Sequence, residues 1–357
     1  MLRFVGMGIG GHKSISMHAL NVLSRCVIVY LDRFTGFVPD RDIEGLNTLA
    51  KIHGLNIHIR SVKRWFIEDG REILEQAQKT DIAILTYGDP FIATTFIELY
   101  VRALKRSIEV DIIHGASGIT SIIGEVGLHI YKFGKMVTIT SERPSRVSVY
   151  TTTYENLINS NHTLILMEYD NRLNSHFFLD PGWALQAMLR TESELGRKVF
   201  LEDTFVVVAS RVGTPHQRII SGTIKSLCSM CFGHGPHSII VTGGLHFTEL
   251  DALMTLTQNF SEPKDNTKFI RNIPAEMIDR YAPMAREALS KMRRLVEIND
   301  GRLNEVTSGI LCNAECYIDD AEKFLEQGKP ELAILSMGYA EGLIDALSLR
   351  NGILPAL

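Results

Sequence analysis

Three short apolar stretches in the first third of the chain each run into a turn of glycines and other small residues. Leu2 to Val5 leads into Gly6-Met7-Gly8-Ile9-Gly10-Gly11, Ile82 to Leu85 into Gly88-Asp89-Pro90, and Val110 to Ile113 into His114-Gly115-Ala116-Ser117-Gly118. Apolar runs of this length without alternation suit strands buried on both faces, the condition of a parallel sheet with helices on either side. Helical spacing over Lys13 to Leu23, Trp65 to Gln78 and Phe91 to Leu104 supplies such helices. Ligands of open α/β sheets sit beyond the carboxyl ends of the strands, so three small-residue turns there predict one shared cleft for a small molecule.

The first turn by itself fits the G-x-G-x-x-G dinucleotide fingerprint, with Cys26 to Leu31 as a second strand and Asp32 as the acidic residue about 20 positions on. Its glycines require only a tight turn and a close backbone approach, so an NAD(P)-dependent oxidoreductase is one reading among several. Asp89 reads structurally as a helix N-cap, with Pro90 at the first helical position where its missing N–H costs nothing. Ser117 likewise reads as the cap of a helix over Ile119 to Val126.

Further along, Leu55 to Arg60 and Val137 to Ile139 read as strands, and the Ser, Thr, Arg and Pro content of Ser141 to Tyr154 predicts a linker or a substrate-facing loop. Strands over Thr163 to Met167, Thr204 to Ala209 and Ile239 to Thr242, with a helix starting at Pro181, predict a second α/β unit built on a mixed sheet. Polar residues from Ser261 to Asn272 mark a boundary, beyond which the pattern is helical. Ala282 to Ile298 is one helix, Ile318, Ala321 and Leu325 form the apolar stripe of a second, and Gly328-Lys329-Pro330 separates it from a third striped by Leu332, Leu335, Tyr339, Leu343 and Leu347. The predicted organisation is an α/β domain over 1–139, a second over 140–260, and an all-α domain over 273–357.

Composition narrows the function classes. With 45% hydrophobic and 22% charged residues the chain can bury real cores, and a net charge of −4 leaves no broad electrostatic footprint for nucleic acid. No apolar run approaches the roughly 20 residues of a membrane span, and Met1 to Gly11 is too short in its apolar part for a secretory signal, so a cytoplasmic protein without membrane attachment is expected. Five cysteines form no disulfide framework. Cys228-Ser-Met-Cys231 has zinc-ligand spacing with His234 and His237 close behind, but zinc motifs usually separate their ligand pairs by a longer loop, so no metal site is expected. Cys312 and Cys316 are expected as small core residues.

Several stretches together resemble the diphthine synthases, a family within the tetrapyrrole-methylase-like class (class III) of S-adenosylmethionine (SAM) methyltransferases. They are Phe4-Val5-Gly6-Met7-Gly8-Ile9, Val29-Tyr30-Leu31-Asp32, Gly88-Asp89-Pro90-Phe91-Ile92-Ala93-Thr94-Thr95, Gly127-Leu128-His129-Ile130-Tyr131-Lys132-Phe133-Gly134-Lys135 and Gly235-Pro236-His237-Ser238. The resemblance covers residues 1 to about 260 and implies two α/β domains with SAM in the cleft between them, S-adenosylhomocysteine as product, and a homodimer. Its cofactor contacts carry over to Ile9, Asp89, Ile92, Ser117, Gly118, Met167, Ala209 and His237; Met167 and Ala209 rest on pattern more than identity. The implied reaction methylates the amino group of a modified histidine on translation elongation factor 2, the middle step of diphthamide formation, with three methyl groups added in archaeal members. The tail, through Gly328-Lys329-Pro330-Glu331-Leu332-Ala333 and Tyr339-Ala340-Glu341-Gly342, resembles a small archaeal helical domain of unassigned role. A precorrin-type tetrapyrrole methylase is the neighbouring alternative.

Methyl transfer to an amine needs the lone pair free and in line with the methyl carbon, so positioning supplies much of the catalysis. Neutralising an amine that titrates between about 7.7 and 10.4 costs roughly 1 to 4.5 kcal/mol near pH 7, which a desolvating pocket or a modest base covers. The sequence nominates no catalytic base.

Overall fold

The computed structural model describes residues 1–170, 177–300 and 305–350. The predicted C-terminal domain reaches 357, and its residues 301–304 and 351–357 lie outside the described residues. Two compact units form, Met1–Ile270 and Arg271–Leu357.

The first unit contains two larger sheets. Strands β1 (Leu2–Gly6), β2 (Ile28–Asp32), β3 (Ile59–Val62), β4 (Ile82–Thr86) and β5 (Val110–Ile113) are all parallel, in the order β3-β2-β4-β1-β5. Their apolar runs follow from burial on both faces. Phe4, Tyr30, Ile82 and Ile84 pack against helices α3 (Arg64–Asp69), α4 (Arg71–Ala77) and α5 (Phe96–Lys105), while Val5, Val29, Ala83 and Leu85 pack against α1 (Met17–Ser24) and α2 (Asp40–Ile52). β1 connects to β2 on one side and β4 connects to β5 across β1 on the other, which places the topological switch at β4, β1 and β5. Val5 lies level with Leu85 and Ile113, so the three small-residue turns leave the sheet side by side.

The second sheet is mixed, as predicted. It comprises β6 (Val137–Ile139), β7 (Thr163–Met167), β10 (Phe205–Ser210), β11 (Arg218–Thr223), β12 (His237–Val241) and β13 (Gln258–Asn259), in the order β13-β11-β10-β12-β7-β6. The short hairpin of β8 (Tyr169–Asp170) and β9 (Phe177–Phe178) stands apart. β6 pairs with β7, so the chain has already entered the second sheet at Val137. One face is covered by α7 (Arg143–Ile158), α8 (Pro181–Leu195) and the short α9 (Ile224–Leu227). The other face, with Val207, Ala209 and Ile240, packs on α6 (Gly118–Val126), on α10 (Phe247–Leu256) and on Ile9 of the first turn, which joins the two sheets in one core.

Several local expectations change. The expected linker over Ser141 to Tyr154 is helix α7: Pro144 sits in its first turn, where proline is tolerated, and Val149, Tyr150, Thr152 and Thr153 are buried along it. The helix expected over Trp65 to Gln78 is broken at Gly70, whose φ of 61° is left-handed and serves as the end of α3 and the start of α4. The helix expected from Phe91 begins at Phe96, because residues 91–95 form an irregular loop with Ala93 at φ 57°. Cys312 and Cys316 are exposed, since Leu311, Ala314 and Ile318 occupy the inward face of their helix.

The second unit is a three-helix bundle of α11 (Ile273–Asp300), α12 (Glu305–Glu326) and α13 (Pro330–Arg350). The buried face of α13 is Ala333, Met337, Ala340, Ile344 and Leu347, so of the predicted stripe Leu347 is fully buried and Leu343 partly, while Leu332, Leu335 and Tyr339 are exposed. α13 is also, among the described residues, the one helix long and apolar enough to cross a membrane by length and composition. Glu331, Glu341 and Asp345 interrupt its apolar residues and hide it from a search for unbroken runs. Its packing against α11 and α12 accounts for the buried part of its apolar residues.

Candidate active site

The floor of the site is backbone. A Cβ on Gly6 would stand 2.5 Å from the Gly88 oxygen and 2.6 Å from the Gly115 nitrogen, and one on Gly115 would stand 2.5 Å from the Gly88 oxygen. Glycine is required here by close approach of three turns, whatever binds above them. Gly8 and Gly88 also exchange both backbone hydrogen bonds, at 3.1 and 3.0 Å, and the Gly10 N–H donates to Ser14 Oγ at 2.8 Å. These N–H groups are therefore spent inside the protein and do not form an open phosphate cradle. The turn is followed by a short 3-10 segment over Gly11–Ser14, and α1 starts only at Met17, so no helix N-terminus faces the loop.

Asp32, the residue a dinucleotide site would turn toward a ribose, is fully buried. Its carboxylate accepts from the Phe34 and Thr35 backbone N–H groups at 2.8 and 3.1 Å and from Thr86 Oγ1 at 3.0 Å. Burial pushes its pKa up, opposed by those hydrogen bonds. It closes the ends of β2 and β4 and has no path to a ligand, which removes the oxidoreductase reading.

Asp89 does not cap α5, whose N-cap is Thr95. One oxygen accepts from the Phe91 N–H at 2.9 Å; the other accepts from the Gly115 N–H at 3.3 Å and faces His114 Nδ1 at 2.8 Å. Its side chain is 4% exposed while that of His114 is 70% exposed. Ser117 does cap α6, its Oγ accepting from the Ile119 N–H at 3.2 Å. A Cβ on Gly118 or Gly88 would meet only an ordinary van der Waals neighbour at 3.9 Å, Ile9 and the Ala116 oxygen respectively.

The facing wall comes from the second sheet. Ile9 packs with Ala209 and Val212, and its side chain lies where a Cβ on Gly213 would fall, 2.5 Å away. Tyr87 donates its hydroxyl to the Ile9 oxygen at 2.5 Å; burial and then Asp42 push its pKa up to about 12, so the donor is always present. Strand register places Ala209 opposite Ser238 and Ser210 opposite His237, and Leu166 opposite Ser238, which puts Met167 at the same sheet end. His237 is buried; its Nδ1 accepts from Ser210 Oγ at 2.8 Å and its Nε2–H donates to the Gly233 oxygen at 3.2 Å. Burial pushes its pKa down to about 4, so it is neutral near pH 7.

Of the predicted site residues, Ile9, Asp89, Ser117 and Gly118 therefore meet at the switch point, and Ala209, His237 and Met167 share the end of the second sheet that Ile9 touches. Ile92 lies in the irregular loop after β4, 40% exposed. Sequence reasoning missed His114, Tyr87 and Ser210 as partners of the site. His114 stands in the third turn but 25 positions from the carboxylate it faces, a separation no local pattern bridges. Among the described residues no group of three or more His, Cys, Asp or Glu could hold a metal ion.

The fold and this cleft define a class that comparison makes explicit. The sequence profile of the tetrapyrrole (corrin/porphyrin) methylases matches residues 1–228, and the chain belongs to that family. It is 33% identical over 262 residues to the diphthine synthase of Methanocaldococcus jannaschii, covering 72% of this chain and all of that protein, and 31% identical over 284 residues to the diphthine methyl ester synthase of Eremothecium gossypii, covering 74% and 93%. A solved structure from Entamoeba histolytica superposes with a TM-score of 0.64 at 29% identity, covering 72% of this chain and 98% of that one. Within the methylase family the chain stands with the diphthine synthases, SAM-dependent methyltransferases. A second profile, of a protein family of unknown function (DUF357), matches residues 280–354.

Proposed function

We propose that this chain transfers methyl groups from SAM to the amino group of 3-amino-3-carboxypropyl-histidine on translation elongation factor 2, adding three in diphthamide biosynthesis. The observation that carries this reading is that the chain covers the whole length of the M. jannaschii diphthine synthase at 33% identity over 262 residues. When bound, SAM supplies an electrophilic methyl carbon on a sulfonium sulfur.

The cleft fits such a group. Gly88 and Gly118 leave backbone open to a close-lying ligand, Ile9, Ala209 and Val212 form an apolar wall, and Asp89 adds a fixed negative charge. Ile9, Asp89, Ile92, Ser117, Gly118, Met167, Ala209 and His237 are the proposed contacts. Three donors already meet the Asp89 carboxylate, so about one of its roughly four acceptor positions is left for the ligand. The reading extends to a homodimer acting in the cytoplasm, which sedimentation of the purified chain and cell fractionation test.

Incubation with SAM and elongation factor 2 carrying the unmethylated intermediate, followed by mass spectrometry of the modified histidine, tests the reaction. Three added methyl masses are expected; four would assign a methyl ester product, and none, with calorimetry showing no SAM binding, would overturn the reading.

A further inference from the structure

We propose that His114 is the proton acceptor for the substrate amine, held for that task by Asp89; the inference rests on the methyltransferase reading above. An amine attacks only as the free base, and each methyl addition leaves a cationic nitrogen that must shed a proton before the next. A group beside the cleft that takes up that proton and passes it to solvent meets this need.

The His114 and Asp89 pair has the asymmetry of such a group. Asp89 is buried and fixed by the Phe91 and Gly115 N–H groups, while His114 opens to solvent at the end of β5, next to the glycine floor. With Nδ1 donating to the carboxylate at 2.8 Å, the exposed ring is set in the tautomer whose Nε2 carries the lone pair. Asp89 comes from the turn after β4, and the turns after β1 and β5 that crowd the same place present Gly6, Gly8 and Gly115, which carry no charge. In the step, an N–H bond of the substrate ammonium breaks and an Nε2–H bond forms, giving neutral amine and imidazolium. The exposed ring then returns the proton to bulk water, ready for the next cycle. His237, the other histidine of the cleft, cannot serve, since both of its ring nitrogens are engaged by Ser210 and Gly233.

The decisive variant is His114→Asn, whose amide nitrogen can replace Nδ1 toward Asp89 but which has nothing at the Nε2 position. SAM affinity by calorimetry is expected to stay within a factor of two or so, and kcat near pH 7 to fall about 10²-fold or more, the ordinary range for losing a general base. The deficit should shrink as pH is raised and the amine loses its proton to solvent. Nitrogen-15 NMR of the wild-type ring at alkaline pH should show Nδ1 protonated and Nε2 bare. Wild-type kcat and an unchanged pH profile in His114→Asn would overturn the proposal, as would the opposite tautomer. If His114→Ala loses SAM affinity while His114→Asn is fully active, His114 only braces Asp89, which also overturns it. A wild-type chain that binds no SAM and methylates nothing in the same assay sinks the functional reading instead.

Discussion

Glu249 has no exposed side-chain surface and still carries its charge. Burial alone would raise its pKa, but Lys132, the backbone N–H groups of His129 and His246, and His162 outweigh it and hold it at about 2. That carboxylate ties the segment from Gly127 to Gly134 to the start of α10 and leaves Tyr131 96% exposed at its tip. Removing one partner of a buried charge group leaves the others stranded, so Glu249→Ala should cost about 3–5 kcal/mol in chemical denaturation. The pH dependence has one sign. His162 is buried, which lowers its pKa from 6.5, so below that value the unfolded chain takes up a proton that the native state refuses. Glu249 adds the same trend from its ordinary 4.5 down to about 2. Stability should therefore fall in two stages on acidification, and Glu249→Gln should flatten the lower one. At the cleft, Asp89→Asn should weaken SAM binding about tenfold, near 1.4 kcal/mol, by calorimetry; unchanged affinity would remove Asp89 from the contact set. The sequence makes Asp89 conspicuous, but the choice between helix cap and ligand contact is made only by the tertiary contacts, with α5 capped at Thr95 and Asp89 meeting His114 and Gly115.

Elements β1, β4 and β5 were legible because a strand buried on both faces needs an unbroken apolar run, and each run is followed by the small residues that close packing demands. Gly115→Ala tests that demand: its methyl group would meet the Gly88 oxygen at 2.5 Å. The expected cost is about 1–3 kcal/mol by thermal or chemical denaturation, as for overpacking elsewhere, together with weaker SAM binding because the floor must spread. Wild-type stability would mean the turns can move apart freely. Helix α7 was not legible, since its threonines and Arg143-Pro144 have loop composition and become helical through burial of Thr152 and Thr153 against the second sheet. The stripe of α13 was read in the wrong phase for a related reason. Leucines mark the expected core face, but Ala333, Met337, Ala340, Ile344 and Leu347 occupy it, a phase set by packing against the other two helices.

At the scale of the molecule, the first unit holds cores on both faces of each sheet, and 72% of this chain matches the whole length of the M. jannaschii protein. A chain of residues 1–270 should fold, bind SAM and methylate elongation factor 2 at the full-length rate; a folded truncation without activity would assign the helical unit a part in catalysis. The sequence by itself determined the parallel sheet, the mixed second sheet, the separate helical tail and the identity of the turns that meet at the cleft. These follow from local periodicity and from residue types that only certain backbone conformations accept. Tertiary structure alone decided that Ile9 crosses to the second sheet, that Asp32 is sealed inside, and that Asp89 stands behind His114. Each of those depends on contacts between residues far apart in the chain, and burial and hydrogen-bond partners, which set what a carboxylate or an imidazole can do, exist only once the strands are side by side.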